Sequence, residues 1–154
     1  MNTPNLLAVM SRKYPNQEAI VTLTERITYK EWNEQVNRLA DSLKRLGVQK
    51  GDKVVIHMPN TKEFLFAYLA VQRLGGLAVP INARLVEQEI TYILDHSDAS
   101  MFITHDMLFD NIRHLPEKKD IQFIKSGAAE NNWLSFEDLL TSGSPEEIAC
   151  DLTE

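Results

Sequence analysis

The chain has one cysteine, Cys150, among its 154 residues. An internal disulfide is therefore excluded, and a reducing, cytoplasmic setting is expected. Glycine and proline are scarce, at six each, which removes low-complexity and collagen-like classes. No apolar run approaches the roughly 20 residues of a membrane-spanning helix. The opening Met1-Asn2-Thr3-Pro4-Asn5 has neither a basic flank nor an apolar signal core. Positive charge is also in short supply: 16 Lys and Arg against 22 Asp and Glu give a net charge of −6. That balance disfavours nucleic acid as a partner, because phosphate-backbone binding draws on basic side chains. What is present is 44% hydrophobic and 25% charged residues, the make-up of one globular domain. A chain of this length can bury about 70% of the surface it exposes when unfolded.

Periodicity alternates between helical and strand-like segments. Thr3-Pro4 starts a helix that carries Leu6, Leu7, Val9 and Met10 and stops at Tyr14-Pro15. Glu18 to Leu23 and Ile27-Thr28, joined by Thr24-Glu25-Arg26, read as a short antiparallel hairpin. Thr28-Tyr29-Lys30-Glu31 has the capping-box spacing, with Ile27 and Trp32 placed as a hydrophobic staple. Tyr29, Trp32, Val36, Leu39, Ala40, Leu43 and Leu46 then form one apolar stripe, and Gly47 is the left-handed stop. Lys53 to Ile56 is a continuous apolar strand of the buried parallel type. The Asn60-Thr61-Lys62-Glu63 stretch, with Asn60 as cap and Glu63 three residues on, starts a helix from Phe64 to Leu74. That helix is apolar on nearly every face, so more than one layer must cover it.

Gly75-Gly76 ends this helix, and Leu77 to Ile81 is the next strand. A helix over Val86 to His96 follows, its start weakly held because Val86 offers no capping oxygen. Ser100 to Thr104 is a strand, Met107 to Leu115 a short helix ended by Pro116, and Ile121 to Ile124 a strand. Ser126 to Asn132 is loop, Ser135 to Leu140 is one or two helical turns, and Ser144-Pro145-Glu146-Glu147 looks like another capped start. The expected fold is α/β: a mostly parallel sheet of four strands, covered by helices on both faces, with a short antiparallel hairpin near the N-terminus. Residues 1–154 read as one domain.

Reactive groupings are missing. There is no G-x-G-x-x-G, no P-loop, no G-x-S-x-G elbow and no H-E-x-x-H. Gly75-Gly76 follows a helix, whereas a phosphate cradle opens one, so the pair reads as a C-cap. The four histidines, His57, His96, His105 and His114, lack metal-finger spacing. His57 lies at the carboxyl end of a predicted strand, where open α/β sheets bind ligands; it still reads as a hydrogen-bonded, partly buried loop residue. His96 suits a helix C-terminus, and His105-Asp106 a strand end followed by a helix cap. Asp95, His96, Ser97 and Asp98 are triad residue types without triad spacing. Cys150 sits among acids, which raise a thiol pKa. The Tyr and Trp residues read as core. No catalytic, cofactor-binding or metal residue is assigned.

Three stretches together carry a family resemblance. Ile27-Thr28-Tyr29-Lys30-Glu31-Trp32 followed by Asn37-Arg38-Leu39-Ala40 resembles the opening of the adenylate-forming acyl-CoA synthetases. Gly47-Val48-Gln49-Lys50-Gly51-Asp52-Lys53-Val54 is similar to that family's G-V-x-K-G-D-x-V connection. Met58-Pro59-Asn60 to Phe64, then Gly75-Gly76-Leu77-Ala78-Val79-Pro80-Ile81-Asn82, resembles its P-N-x-x-E-F helix and G-x-x-x-V-P-[IL]-N strand. The resemblance runs on through Glu89-Ile90, Tyr92-Ile93-Leu94 and the next strand, and departs at Val86, where relatives often carry a capping Thr or Ser.

The resemblance implies an acid–thiol ligase that uses ATP, Mg²⁺ and coenzyme A to activate a carboxylic acid, fatty acids being the expected class. It also implies that the phosphate-gripping loop, the ribose-binding Asp and the adenylating Lys all follow the matched region, beyond Leu152-Thr153-Glu154. The expectation is an N-terminal subdomain that is not catalytic alone and binds no cofactor, with the remainder of the parent enzyme as its partner. The alternative is a non-enzymatic interaction module whose apolar surface, chiefly the Phe64–Leu74 helix, favours self-association. A small independent nucleotide-binding domain is the third reading, weakened by the missing phosphate loop.

Overall fold

The computed structural model describes residues 3–148. Helix α1 spans Thr3–Lys13, and strands β1 (Glu18–Val21) and β2 (Arg26–Thr28) form the expected antiparallel hairpin. Thr28 caps α2 (Tyr29–Arg45): its hydroxyl accepts from the Glu31 N–H at 3.1 Å, and the Glu31 carboxylate accepts from the Thr28 N–H at 2.8 Å. At the far end Gly47 takes φ +101°, the Gly47 N–H donates to the Lys44 carbonyl and the Val48 N–H to the Leu43 carbonyl. This is the left-handed Schellman closure, and Val48 and Leu43 meet in the core as that closure favours.

Strand β3 (Lys53–His57), helix α3 (Lys62–Arg73), strand β4 (Leu77–Pro80), helix α4 (Glu87–Ser97), strand β5 (Met101–Thr104), strand β6 (Gln122–Lys125), the two-residue strand β7 (Leu134–Ser135) and helix α5 (Phe136–Ser142) complete the chain. The five-stranded sheet is parallel throughout, in the order β4-β3-β5-β6-β7. The chain winds outward from β3 to β4, returns across β3, and continues through β5 on the other side. It is therefore doubly wound, with its switch point between β3 and β5.

Side chains alternate between two cores. Val54, Ile56, Met101, Ile103 and Ile124 pack under α1, α2, α3 and α5; Val55, Phe102 and Phe123 point the opposite way, into Ile90 and Leu94 of α4 and into Trp133. Strands buried on both faces need unbroken apolar runs, which is what 54–56 and 101–103 supply.

Several expectations need correction. The α3 cap is Thr61, not Asn60: its hydroxyl accepts from the Phe64 N–H at 3.3 Å. The predicted helix over 107–115 is instead two 3₁₀ segments, Asp106–Asn111 and Leu115–Glu117, and Pro116 lies inside the second. Phe109, Ile112 and Leu115 are all buried at three-residue spacing, the period of a 3₁₀ helix and not of an α-helix. The sheet has five strands where four were expected, because β7 is too short to show alternation. Ser144 to Glu147 forms no helix. That stretch is held against α2, where the Ser144 N–H donates to Asp41 and the Asn37 amide donates to the Pro145 carbonyl, each at 3.0 Å. Tyr14 and Tyr92 are exposed, not core. Cys150 lies outside the described residues.

Candidate functional site

Ligands of doubly wound sheets bind outside the carboxyl ends of the strands, at the switch point. Here those ends bring together His57 of β3, Thr104, His105 and Asp106 at the end of β5, and Lys125 and Ser126 at the end of β6. His57 is buried, stronger than the partial burial expected, and it closes β3 instead of sitting in a loop. Its Nε2 lies 3.2 Å from the Ala83 carbonyl and its Nδ1 2.9 Å from the Thr104 hydroxyl. A carbonyl only accepts, so Nε2 carries the hydrogen and Nδ1 accepts from Thr104. Burial lowers the His57 pKa, and the Ala83 hydrogen bond opposes that shift. Both ring nitrogens are committed to the fold, which leaves no lone pair for base chemistry or a metal.

The cap is His105, not the Asp106 that follows it as expected: the His105 Nδ1 accepts from the Met107 N–H at 3.1 Å. Its other nitrogen lies 3.8 Å from the Glu63 carboxylate of α3, so the two side chains span the switch-point crevice. The buried Lys125 ammonium pairs with Asp106 at 3.1 Å, donates to the Ala128 carbonyl at 2.9 Å, and sits 4.5 Å above the Phe109 ring. The Gly127 N–H donates to Glu137 at 2.8 Å. Lys125, Asp106, Glu63 and Glu137 at this end each face a partner within the domain. Sequence reading missed the Lys125–Asp106 and Glu63–His105 pairings, because each joins residues that only the parallel register brings together.

The remaining sequence candidates separate. His96 stacks on Tyr92 and bonds its carbonyl at 2.9 Å, while Asp95 pairs with Lys119. Asp98 takes the left-handed C-cap position at φ +54°, and the Ser97 hydroxyl is buried without a partner. His114 pairs with Glu117 at 3.2 Å beside a cleft of about 500 Å³ lined by Arg113, Glu130 and Asn131. Arg113 there is already paired with Asp110 at 3.2 Å and Glu130 at 3.5 Å. Gly75 has φ +76° and ends α3 as expected. Among the described residues, no group of three or more His, Cys, Asp or Glu side chains is placed to hold a metal ion.

This is an open, doubly wound α/β domain in which side chains pair across the carboxyl ends of β3, β5 and β6. The chain belongs to the AMP-binding enzyme family, whose model matches residues 7–149, and it corresponds to the N-terminal subdomain of that family. Over 100 residues it is 35% identical to crotonobetaine/carnitine–CoA ligase of Escherichia coli, a match that covers 65% of this chain and 19% of that protein. Among solved structures, a benzoate CoA ligase from Burkholderia xenovorans superposes with a TM-score of 0.88 at 25% identity, covering 100% of this chain and 31% of its own. A Mycobacterium tuberculosis fatty acyl CoA synthetase superposes with a TM-score of 0.82 at 30% identity, covering 99% of this chain and 30% of its own. The chain thus spans about a fifth of the length of the curated relatives it matches.

Proposed function

We propose that this chain is the N-terminal scaffold of an acid–thiol ligase acting on a carboxylic acid of the fatty-acid class. In that reaction the carboxylate attacks the α-phosphorus of ATP, giving an acyl adenylate and pyrophosphate. The thiol of coenzyme A then attacks the acyl carbonyl and AMP leaves. Adenylation exchanges a poor leaving group for a good one, and Mg²⁺ with preorganised donors supplies the neutralising charge.

The described residues do not fit a Mg-ATP site, so none is assigned a step. At the starts of α3, the first 3₁₀ segment and α5, Thr61, His105 and Ser135 each take one amide N–H, and at α4 the Glu89 carboxylate takes the Val86 N–H and sets a negative charge where a phosphate would have to sit. The observation that carries the reading is the match of nearly the whole chain to less than a third of each CoA ligase. The same reading makes the chain a cytoplasmic protein whose partner is the rest of a ligase polypeptide.

The test is acid-dependent exchange of labelled pyrophosphate into ATP by the purified chain. Exchange at background is expected. Robust exchange that a point substitution within residues 3–148 abolishes would overturn the scaffold assignment.

A further inference from the structure

The helix expected to favour self-association turns inward. Phe66, Ala67, Leu69, Ala70 and Val71 of α3 are buried under α1, α2 and the sheet. The last residue of α3, Arg73, carries a charge into the same layer and is 6% exposed. Its guanidinium donates to the Pro4 carbonyl of α1 at 2.8 Å, and to the Asn33 and Asn37 side-chain oxygens of α2 at 3.1 and 2.6 Å. An acceptor withdrawn from a buried cation strands a donor out of water, so these contacts hold one another in place.

Asn37 has a second commitment. Its amide donates to the Pro145 carbonyl at 3.0 Å, in the segment that follows α5. A guanidinium only donates and a carbonyl only accepts, so the Asn37 oxygen must face Arg73 and its nitrogen must face Pro145. The side chain is 1% exposed, and turning it over would break both bonds. Residues 143–147 lie as a strap against α2: Arg38 donates to the Gly143 carbonyl, and the Ser144 N–H donates to Asp41, each at 3.0 Å. The adjacent Asn37 and Arg38 of the family-like stretch therefore both grip the strap. At the surface Arg12 of α1 pairs with Glu147 of the strap at 2.8 Å, but both side chains are more than half exposed, so this link is weak.

We propose that α1 and the strap form one latch: they dock on α2 and release from it together, with Asn37 as the positioning residue between them. Undocking α1 takes the Pro4 oxygen from Arg73, the guanidinium shifts, and the Asn37 amide follows it away from Pro145. Freeing the strap acts through the same amide in the opposite direction. The inference stands apart from the ligase reading, since every group in it belongs to this chain.

Residue-resolved hydrogen exchange of the purified chain tests the latch, with the amides of β3 and β5 as the measure of global unfolding. Leu7→Val trims the buried contact of α1 and leaves every member of the relay in place. The Gly143 and Ser144 amides should then exchange several-fold faster, beyond any change in β3 and β5. Coupling is reciprocal, so Asp41→Ala, which removes the acceptor of the Ser144 N–H, should speed exchange in α1 likewise. In Asn37→Asp, which keeps the oxygen for Arg73 and loses the donor for Pro145, the strap should no longer respond to Leu7→Val. In Arg12→Gln that response should persist. A strap indifferent to Leu7→Val, or an α1 indifferent to Asp41→Ala, would overturn the latch. A response that survives Asn37→Asp would overturn the role given to Asn37, and one that disappears with Arg12→Gln would assign the coupling to the surface ion pair instead. If Asn37→Asp does not fold, the Asp41 and Arg12 arms decide the matter.

Discussion

Protonating His57 should destabilise the fold, and the geometry fixes both the sign and the pH window. The ring is 1% exposed, and the Thr104 hydroxyl points its hydrogen at Nδ1. A second ring proton would face that hydrogen, inside a site that cannot hydrate the charge. Burial holds the folded-state pKa below the ordinary value of 6.5. Between that lowered value and 6.5 the unfolded chain binds a proton that the folded chain refuses. Stability from this residue is therefore complete above pH 6.5 and falls as pH drops, by up to about 1.4 kcal/mol per pH unit, until the folded-state pKa is passed. Urea denaturation of the wild type and of His57→Gln from pH 8 to pH 5 isolates the effect, because all other titrating groups are shared. Glutamine keeps a donor for the Ala83 carbonyl and cannot take up the proton. The difference between the two curves should be flat above pH 6.5 and slope downward for the wild type below it. A flat difference throughout, or a wild type that gains on acidification, refutes the argument.

Two glycines should behave oppositely to what their dihedral angles suggest. Gly143 has an ordinary extended φ of −78°, yet a Cβ there would collide with the Arg38 carbonyl group. Gly143→Ala should therefore cost about 3 kcal/mol in thermal or urea unfolding, as overpacking against backbone does. Gly47 has φ +101° and open space around it, so Gly47→Ala should cost only the left-handed penalty of about 1–2 kcal/mol. Thr28→Ala removes one half of the α2 capping box, and calorimetry should show a loss of about 1 kcal/mol. The Arg73 guanidinium donates to Asn37 at 2.6 Å, to the Pro4 carbonyl at 2.8 Å and to Asn33 at 3.1 Å, all out of water. Arg73→Ala should cost about 3 kcal/mol or more, and hydrogen exchange should show α1 opening first, because that side chain joins α1 to α2 and α3.

The sequence made legible those features whose cause is local. The Thr28–Glu31 box, the Gly47 stop and the Gly75 C-cap are set by residues within a few positions of one another, and each stands where the spacing put it. The parallel strands were legible for a related reason. An apolar run such as Val54-Val55-Ile56 has no polar face to turn outward, so it must be covered on both sides. Where cause and effect lie far apart, reading failed. Ser144-Pro145-Glu146-Glu147 has the composition of a helix start, but Asp41 and Asn37, about a hundred residues earlier, take its backbone groups and hold it against α2 in a non-helical path. The 107–115 segment contains both periods: its polar residues permit an α-helix, while burial of Phe109, Ile112 and Leu115 beneath Trp133 demands three residues per turn. Only the partner surface decides between them.

The same distinction accounts for the carboxyl end of the sheet. Motif reading found no phosphate loop there, a statement about absence that leaves the function of the end open. The structure adds what fills it: a histidine with both nitrogens committed, a lysine neutralised by Asp106 and the Ala128 carbonyl, and a Glu63–His105 pair across the switch point. A site kept for ligand leaves donors turned to solvent, because buried polar groups must find partners somewhere. Here the His57–Thr104 bond joins the ends of β3 and β5, and the Lys125–Asp106 pair joins those of β6 and β5. The carboxyl ends of β3, β5 and β6 are thus joined by side chains that lie far apart in the sequence, which is why motif reading alone could not find them.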